Sequence, residues 1–185
     1  FNLKKVLGIF SYYITPLILA AISYFASDVG FFPLLGKLAL WLLGITLFVK
    51  PLAVIFKINF FWTIVSLRRE LGVLIFWLFF FHAVGQIYSY NLYLPSMWSG
   101  LPIGVYFGLI AGFGLFILTI TANNFAIRVL KRNWKRLHYS AYAVFFFALL
   151  HRAALTNKYF ISLLLILVFT ILKIVEFIKA FGKQK

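Results

Sequence analysis

Apolar residues run along this chain in blocks of about 20, each closed by a short segment carrying basic residues, glycine or proline, and that block length is what a helix needs to cross a bilayer. Six such blocks are expected as spans: Val6 to Ala26, Leu38 to Phe56, Leu71 to Tyr90, Ile103 to Thr121, Leu137 to Leu155, and Phe160 to Phe177. A seventh apolar stretch, Ile58 to Leu67, is too short to cross and lies between Lys57 and Arg68. It is expected to lie along the membrane interface or to prolong the third helix. The expected fold is therefore an all-α integral membrane protein, a six-transmembrane-helix bundle forming one domain over residues 1–185. The first block is followed by no small-residue cleavage pattern and reads as a span, not a signal peptide.

Composition agrees with this pattern. Hydrophobic residues make up 64% of the 185 and charged residues 11%, a membrane-protein balance. A net charge of +15 raises the question of nucleic acid, but the lysines and arginines sit in short segments between apolar blocks and form no soluble basic surface. They read as topology signals that also meet lipid headgroups. All but Lys37, Arg152 and Lys158 fall on one side of the six-span arrangement, so the positive-inside rule puts both termini in the cytoplasm. Tyr88, Tyr90, Tyr93 and Trp98, near Pro95 and Pro102, look like an interfacial aromatic belt. Gly104, Gly108 and Gly112 recur every fourth residue in the fourth span, a small-residue face whose expected role is close helix packing.

Three histidines stand out in this background: His82, His138 and His151. An ionisable group at membrane depth is costly and marks a functional site by default, and neutral imidazole is a good iron ligand. The third and fifth spans both run outward. His82 lies in the central to outer part of its span, and His151 is 13 residues beyond His138, roughly 20 Å higher at 1.5 Å per residue. His82 and His151 can thus face one another across a single heme, leaving His138 alone near the inner face. Arg68, four turns before His82, would meet an inner heme opposite His138. A guanidinium is a poor iron ligand and a good partner for a heme propionate. One geometric difficulty is that 13 residues turn a helix by about 220°, so His138 and His151 need a bend to share a face.

Other chemistries lack their parts. There is no cysteine, which excludes disulfides, thiolate clusters and covalently attached heme. The only acids are Asp28, Glu70 and Glu176, too few for a carboxylate proton relay, a carboxylate-pair hydrolase or a Ser-His-Asp nucleophile. Zinc cannot gather histidines spread over roughly 20 Å of depth. A lone intramembrane histidine can also serve as a helix-to-helix hydrogen-bond former, and a bundle whose histidines only do that would be a non-redox transporter or scaffold subunit.

The run Arg68-Arg69-Glu70-Leu71-Gly72 followed by His82, together with Trp134-Lys135-Arg136-Leu137-His138, Tyr142 and His151, resembles the ferric reductase-like transmembrane domain superfamily over essentially the whole chain. Within it the likeness is greatest to the heme-binding membrane subunits of bacterial periplasmic methionine sulfoxide reductase systems. The resemblance implies one or two b-type hemes, with FMN or quinone as further cofactors, and electron flow from the cytoplasm outward across the bacterial inner membrane. It implies a cytoplasmic flavin reductase or quinol as donor and a periplasmic molybdopterin reductase or other outer-side acceptor. His82, His151 and His138 are the implied iron ligands, with Arg68, Arg69, Arg152 and Trp134 as further cofactor contacts. No glycine-rich dinucleotide fingerprint occurs in the chain, so a separate donor is expected. Arg152 stands where relatives carry an aromatic residue; it can hold an outer propionate or reach to the interface. Direct reduction of ferric iron or oxygen at the outer face is the neighbouring expectation.

Overall fold

The computed structural model describes residues 3–25, 30–89, 100–157 and 159–181. Asp28, Tyr90, Tyr93, Pro95, Trp98, Lys158, Lys183 and Lys185, used above for topology and the aromatic belt, lie outside the described residues. Every regular element among the described residues is helical: α1 Leu3–Ile9, a π-helical turn Phe10–Ile14, α2 Thr15–Phe25, α3 Phe31–Phe56, α4 Asn59–Ser66, α5 Arg68–Ser89, α6 Ile103–Ile120, α7 Asn124–Leu130, α8 Arg132–His138, α9 Ala141–Thr156 and α10 Tyr159–Phe181. Helix is what these residues must form, because hydrocarbon offers no partner for an unsatisfied backbone group.

Among the described residues, five helical stretches are long and apolar enough to cross a membrane: Leu3–Tyr24, Phe31–Phe56, Arg68–Ser89, Ile103–Ile120 and Tyr159–Lys179. The block expected as a fifth span, Leu137 to Leu155, is divided. His138 closes α8 instead of opening a long helix, and α9 begins at Ala141. Tyr139 and Ser140 keep helical torsions, but the hydrogen bonds tighten to three-residue spacing, Ser140 N–H to Leu137 O and Tyr142 N–H to Tyr139 O. Across this junction His138 and His151 each face a cavity inside the bundle, and the tighter turn adds to the helix rotation between them. The stretch Ile58 to Leu67 is a separate short helix, α4, which presents Phe60 and Trp62 outward and ends in a turn at Leu67 before α5.

α3, α5, α6 and α9 form a ring of four helices, with α3 against α5, α5 against α6, α6 against α9, and α9 closing on α3. Leu35, Ala39, Leu43 and Leu47 of α3 meet Ile75 and Leu78 of α5, Ala111, Leu115 and Leu118 of α6, and Val144, Phe145 and Leu149 of α9 in the shared core. The first helices pack outside α5, and α10 packs against α3 and α9. α10 turns Phe160, Leu163, Leu167 and Phe177 outward, as a lipid-facing helix does. The glycine face of α6 permits close approaches, as does Gly85 of α5, where a Cβ would sit 2.0 Å from the Phe32 ring. A Cβ at Gly112 would sit 2.1 Å from the Phe79 ring, and one at Gly104 would lie 3.0 Å from Ala154 and Leu155.

Candidate functional site

Two cavities are stacked inside the four-helix ring, and Leu43 contributes to the wall of each. One, of about 290 Å³, is lined by both His82 and His151. The other, of about 270 Å³, lies at the end of the bundle that carries Arg68, Arg69, Lys135 and His138.

The two histidine rings of the first cavity come from α5 and α9, and their centroids are 6.3 Å apart at 75°. Each ring is fixed from behind by backbone. His82 Nδ1 lies 2.8 Å from the Phe32 carbonyl oxygen and His151 Nδ1 lies 2.8 Å from that of Gly104. A carbonyl oxygen can only accept, so Nδ1 carries the hydrogen in both rings and donates it. The neutral ring then keeps its lone pair on Nε2, the nitrogen it can offer to the cavity. Each ring also rests on a glycine. A Cβ built at Gly36 would be 2.9 Å from three atoms of the His82 ring, and one at Gly108 would be 2.6 Å from His151 Nδ1. The stripe Gly104, Gly108, Gly112 thus does more than pack helices: one member accepts the hydrogen bond that orients His151, and the next makes room for its ring.

Arg152, the residue after His151, lines the same cavity with Lys37, Gln86 and Thr156. Its guanidinium carbon lies 6.0 Å from the centre of the Trp41 ring, within reach of a cation–π attraction. Its Nη1 is buried with no hydrogen-bond partner among the described residues. A buried charged donor without an acceptor is costly, and here it borders a cavity that can supply one.

The second cavity is built differently. His138 stacks on Trp134, with ring centroids 4.1 Å apart, and its Nε2 lies 3.3 Å from Thr121 Oγ1. That hydroxyl already donates to the Ile117 carbonyl at 2.7 Å, so it accepts from His138 Nε2–H, and the lone pair of this ring lies on Nδ1. Trp134 Nε1 donates to the Thr121 carbonyl at 2.8 Å and locks the same corner. Arg68 Nε donates to the Thr46 carbonyl at 2.7 Å, fixing its guanidinium in the wall. Arg69 turns toward its neighbours, bonding Asn124 Oδ1 at 2.7 Å and pairing with Glu70 at 3.1 Å. Lys50, Arg68, Arg69 and Lys135 line this cavity and, among the described residues, no carboxylate does. It is an electropositive chamber with hydroxyls from Thr46, Tyr139 and Tyr142.

All seven residues singled out from the sequence therefore border one cavity or the other. His82, His151 and Arg152 come together in one, and His138, Arg68, Arg69 and Trp134 in the second. Sequence reasoning missed Gly36, the Phe32 carbonyl, Thr121 and the cavity-facing roles of Lys37 and Lys50. The only available hint was Gly36 itself, an isolated glycine in an apolar helix. Among the described residues no group of three metal-ligating side chains converges. No family model and no solved structure matches this chain.

Proposed function

We propose that this protein is a b-type heme electron conduit of the ferric reductase-like, MsrQ-like kind, with six spans and both termini in the cytoplasm. The observation that carries the reading is the His82–His151 pair. An iron bonded on each side to an imidazole nitrogen at about 2 Å holds the ring centroids roughly 6 Å apart; these rings stand at 6.3 Å. The donated Nδ1 hydrogens fix the tautomer that leaves Nε2 free to ligate, and Gly36 and Gly108 are cradles that a Cβ would fill. The partnerless Nη1 of Arg152 fits a heme propionate. The near-continuous course of α8 and α9 from Arg132 to Thr156, about 37 Å at helical rise, supports a sixth crossing.

Bound heme supplies a one-electron iron couple; the protein orients it, buries it and sets its surroundings. His82 and His151 hold the outer heme, and Arg152 neutralises an acidic group on it. Leu43, with Ala111 and Leu115, separates the two chambers by a thin apolar layer. The inner chamber receives electrons from a cytoplasmic flavin reductase or membrane quinol. His138 and Arg68 there suit a second, less firmly held heme, or FMN or a quinone whose acidic or carbonyl oxygens meet the basic wall. The outer chamber passes electrons to an acceptor protein such as a periplasmic methionine sulfoxide reductase.

The test is the optical spectrum of the purified protein, oxidised and dithionite-reduced, with pyridine hemochrome quantification. A sharp b-type α band with one or two hemes per chain is expected. A colourless protein from heme-replete cells would overturn the reading in favour of a transporter or scaffold. Arg152→Gln is expected to weaken heme retention about tenfold, or about 1.4 kcal/mol. Transfer of heme to apomyoglobin measures it, and an unchanged transfer rate would remove Arg152 from the site.

A further inference from the structure

The last helix is lipid-facing along most of its length, yet it carries a buried acid, Glu176, 8% exposed. This carboxylate sits between two ammonium groups: Lys50 Nζ on α3 at 3.2 Å from Oε1, and Lys173 Nζ on α10 at 2.6 Å from Oε2. Lys173 in turn lies 3.4 Å from the Tyr142 hydroxyl on α9, with its ammonium 5.2 Å from the centre of the Tyr142 ring. Lys50 and Tyr142 both line the basic cavity, and Glu176 and Lys173 do not. The chain of contacts leaves the cavity wall at Lys50, passes behind it through Glu176 and Lys173, and returns at Tyr142.

The chemistry of each link has a direction. An ammonium can only donate, so the Tyr142 oxygen accepts from Lys173, and its own O–H remains free to donate. Lys50 is held by one oxygen of Glu176, which leaves its other N–H donors for the cavity. Where two cations share one carboxylate in a poorly solvated place, the carboxylate sets both their position and the net charge felt next door.

We propose that Glu176 is a positioning residue for the inner cavity: through Lys50 directly, and through Lys173 to Tyr142, it makes the wall present an ammonium and a phenolic O–H to an acidic or carbonyl oxygen of the redox group bound there. The proposal rests on the reading that this cavity holds a redox cofactor. It deepens that reading by naming a recognition surface contributed by α3, α9 and the last helix. It also makes that helix part of the cofactor's electrostatic environment.

Two measurements on the full-length protein test it. The first needs no cofactor: the rate at which acetic anhydride acylates Lys50 in heme-depleted protein, read by peptide mass spectrometry. The Lys50 side chain is 38% exposed, open enough for a small reagent. Glu176→Gln keeps the volume but removes the ion pair that tethers the Lys50 amine at 3.2 Å, leaving it free to meet the reagent, so acylation is expected to rise at least fivefold. An unchanged rate would overturn the tether. The second is the midpoint potential of the inner heme. Glu176→Gln adds one net positive charge behind the wall and is expected to favour the reduced form about tenfold, equal to about 59 mV for one electron. Lys50→Met shifts it the opposite way, and the double variant returns near the starting value. A loosened helix would not produce that reversal, and like-signed shifts in both single variants would overturn the proposal. If the protein carries only the outer heme, the two-heme reading fails and the acylation rate still decides whether Glu176 holds Lys50.

Discussion

His151→Ala is expected to abolish the outer heme and, with it, all electron transfer across the chain, while leaving the bundle folded. Only two side chains offer nitrogen lone pairs to that cavity, and the rings stand at a spacing that one iron can bridge. Removing either leaves a site with a single axial donor, so His82→Ala is expected to give the same result. The structural cost is small by comparison. His151 contributes one hydrogen bond to the Gly104 carbonyl, worth about 1 kcal/mol, and its removal enlarges a space already bounded by Gly108. Helical circular dichroism should persist while heme content falls by the full share of one site. Added imidazole, entering the space left by the ring, should restore a six-coordinate spectrum in His151→Ala. His138→Ala is the contrasting variant, expected to spare the outer site. Full heme content in His151→Ala would sink the assignment of the pair.

Much of this arrangement was legible in the chain, and the part that was not has a common cause. Block length disclosed the helices because backbone in hydrocarbon has so few alternatives. Depth along two helices read as running the same way disclosed that His82 and His151 would meet, because helical rise is fixed at 1.5 Å per residue. Arg68 and His138 reached the same cavity for that reason. What periodicity could not carry was the break at Tyr139–Ser140, where no proline or glycine marks it. Leu137 and His138 of the expected fifth span therefore end α8, and the rest begins afresh as α9. The supports behind the ligands were also hidden. Backbone carbonyls of Phe32 and Gly104 leave no trace in residue identity, and a glycine that seats a ring looks the same as one that seats a helix. Glu176 was visible only as a rare acid near the end of a span. Lys173 lies three residues before it on the same helix, but Lys50 is on α3, far off in sequence, and Tyr142 joins them only through packing.

The glycine cradles lead to a prediction that separates space from chemistry, since no ligand atom is changed. In Gly108→Ala the new Cβ would lie 2.6 Å from His151 Nδ1 and 2.9 Å from Cε1, a distance at which the ring must move. Movement stretches the 2.8 Å bond to the Gly104 carbonyl and turns Nε2 away from the direction set by its partner across the cavity. Overpacking of this kind costs about 1–3 kcal/mol, against a gain of roughly 1 kcal/mol from replacing a mid-helix glycine with alanine. The site is expected to lose half or more of its heme even where the helix itself is favoured. Gly36→Ala, with its Cβ 2.9 Å from three atoms of the His82 ring, should act in the same direction. Gly72 supplies the control for the outer site: it lines the other cavity, and a Cβ there meets no protein atom within 4 Å, so Gly72→Ala should keep the outer heme and melt at the same temperature or slightly higher. Heme per chain and the thermal loss of the Soret band measure all three. Equal heme content in Gly108→Ala and Gly72→Ala would mean that His151 does not need its glycine seat to ligate, and would remove the close approach of α6 and α9 from the account of how this bundle aims its ligands.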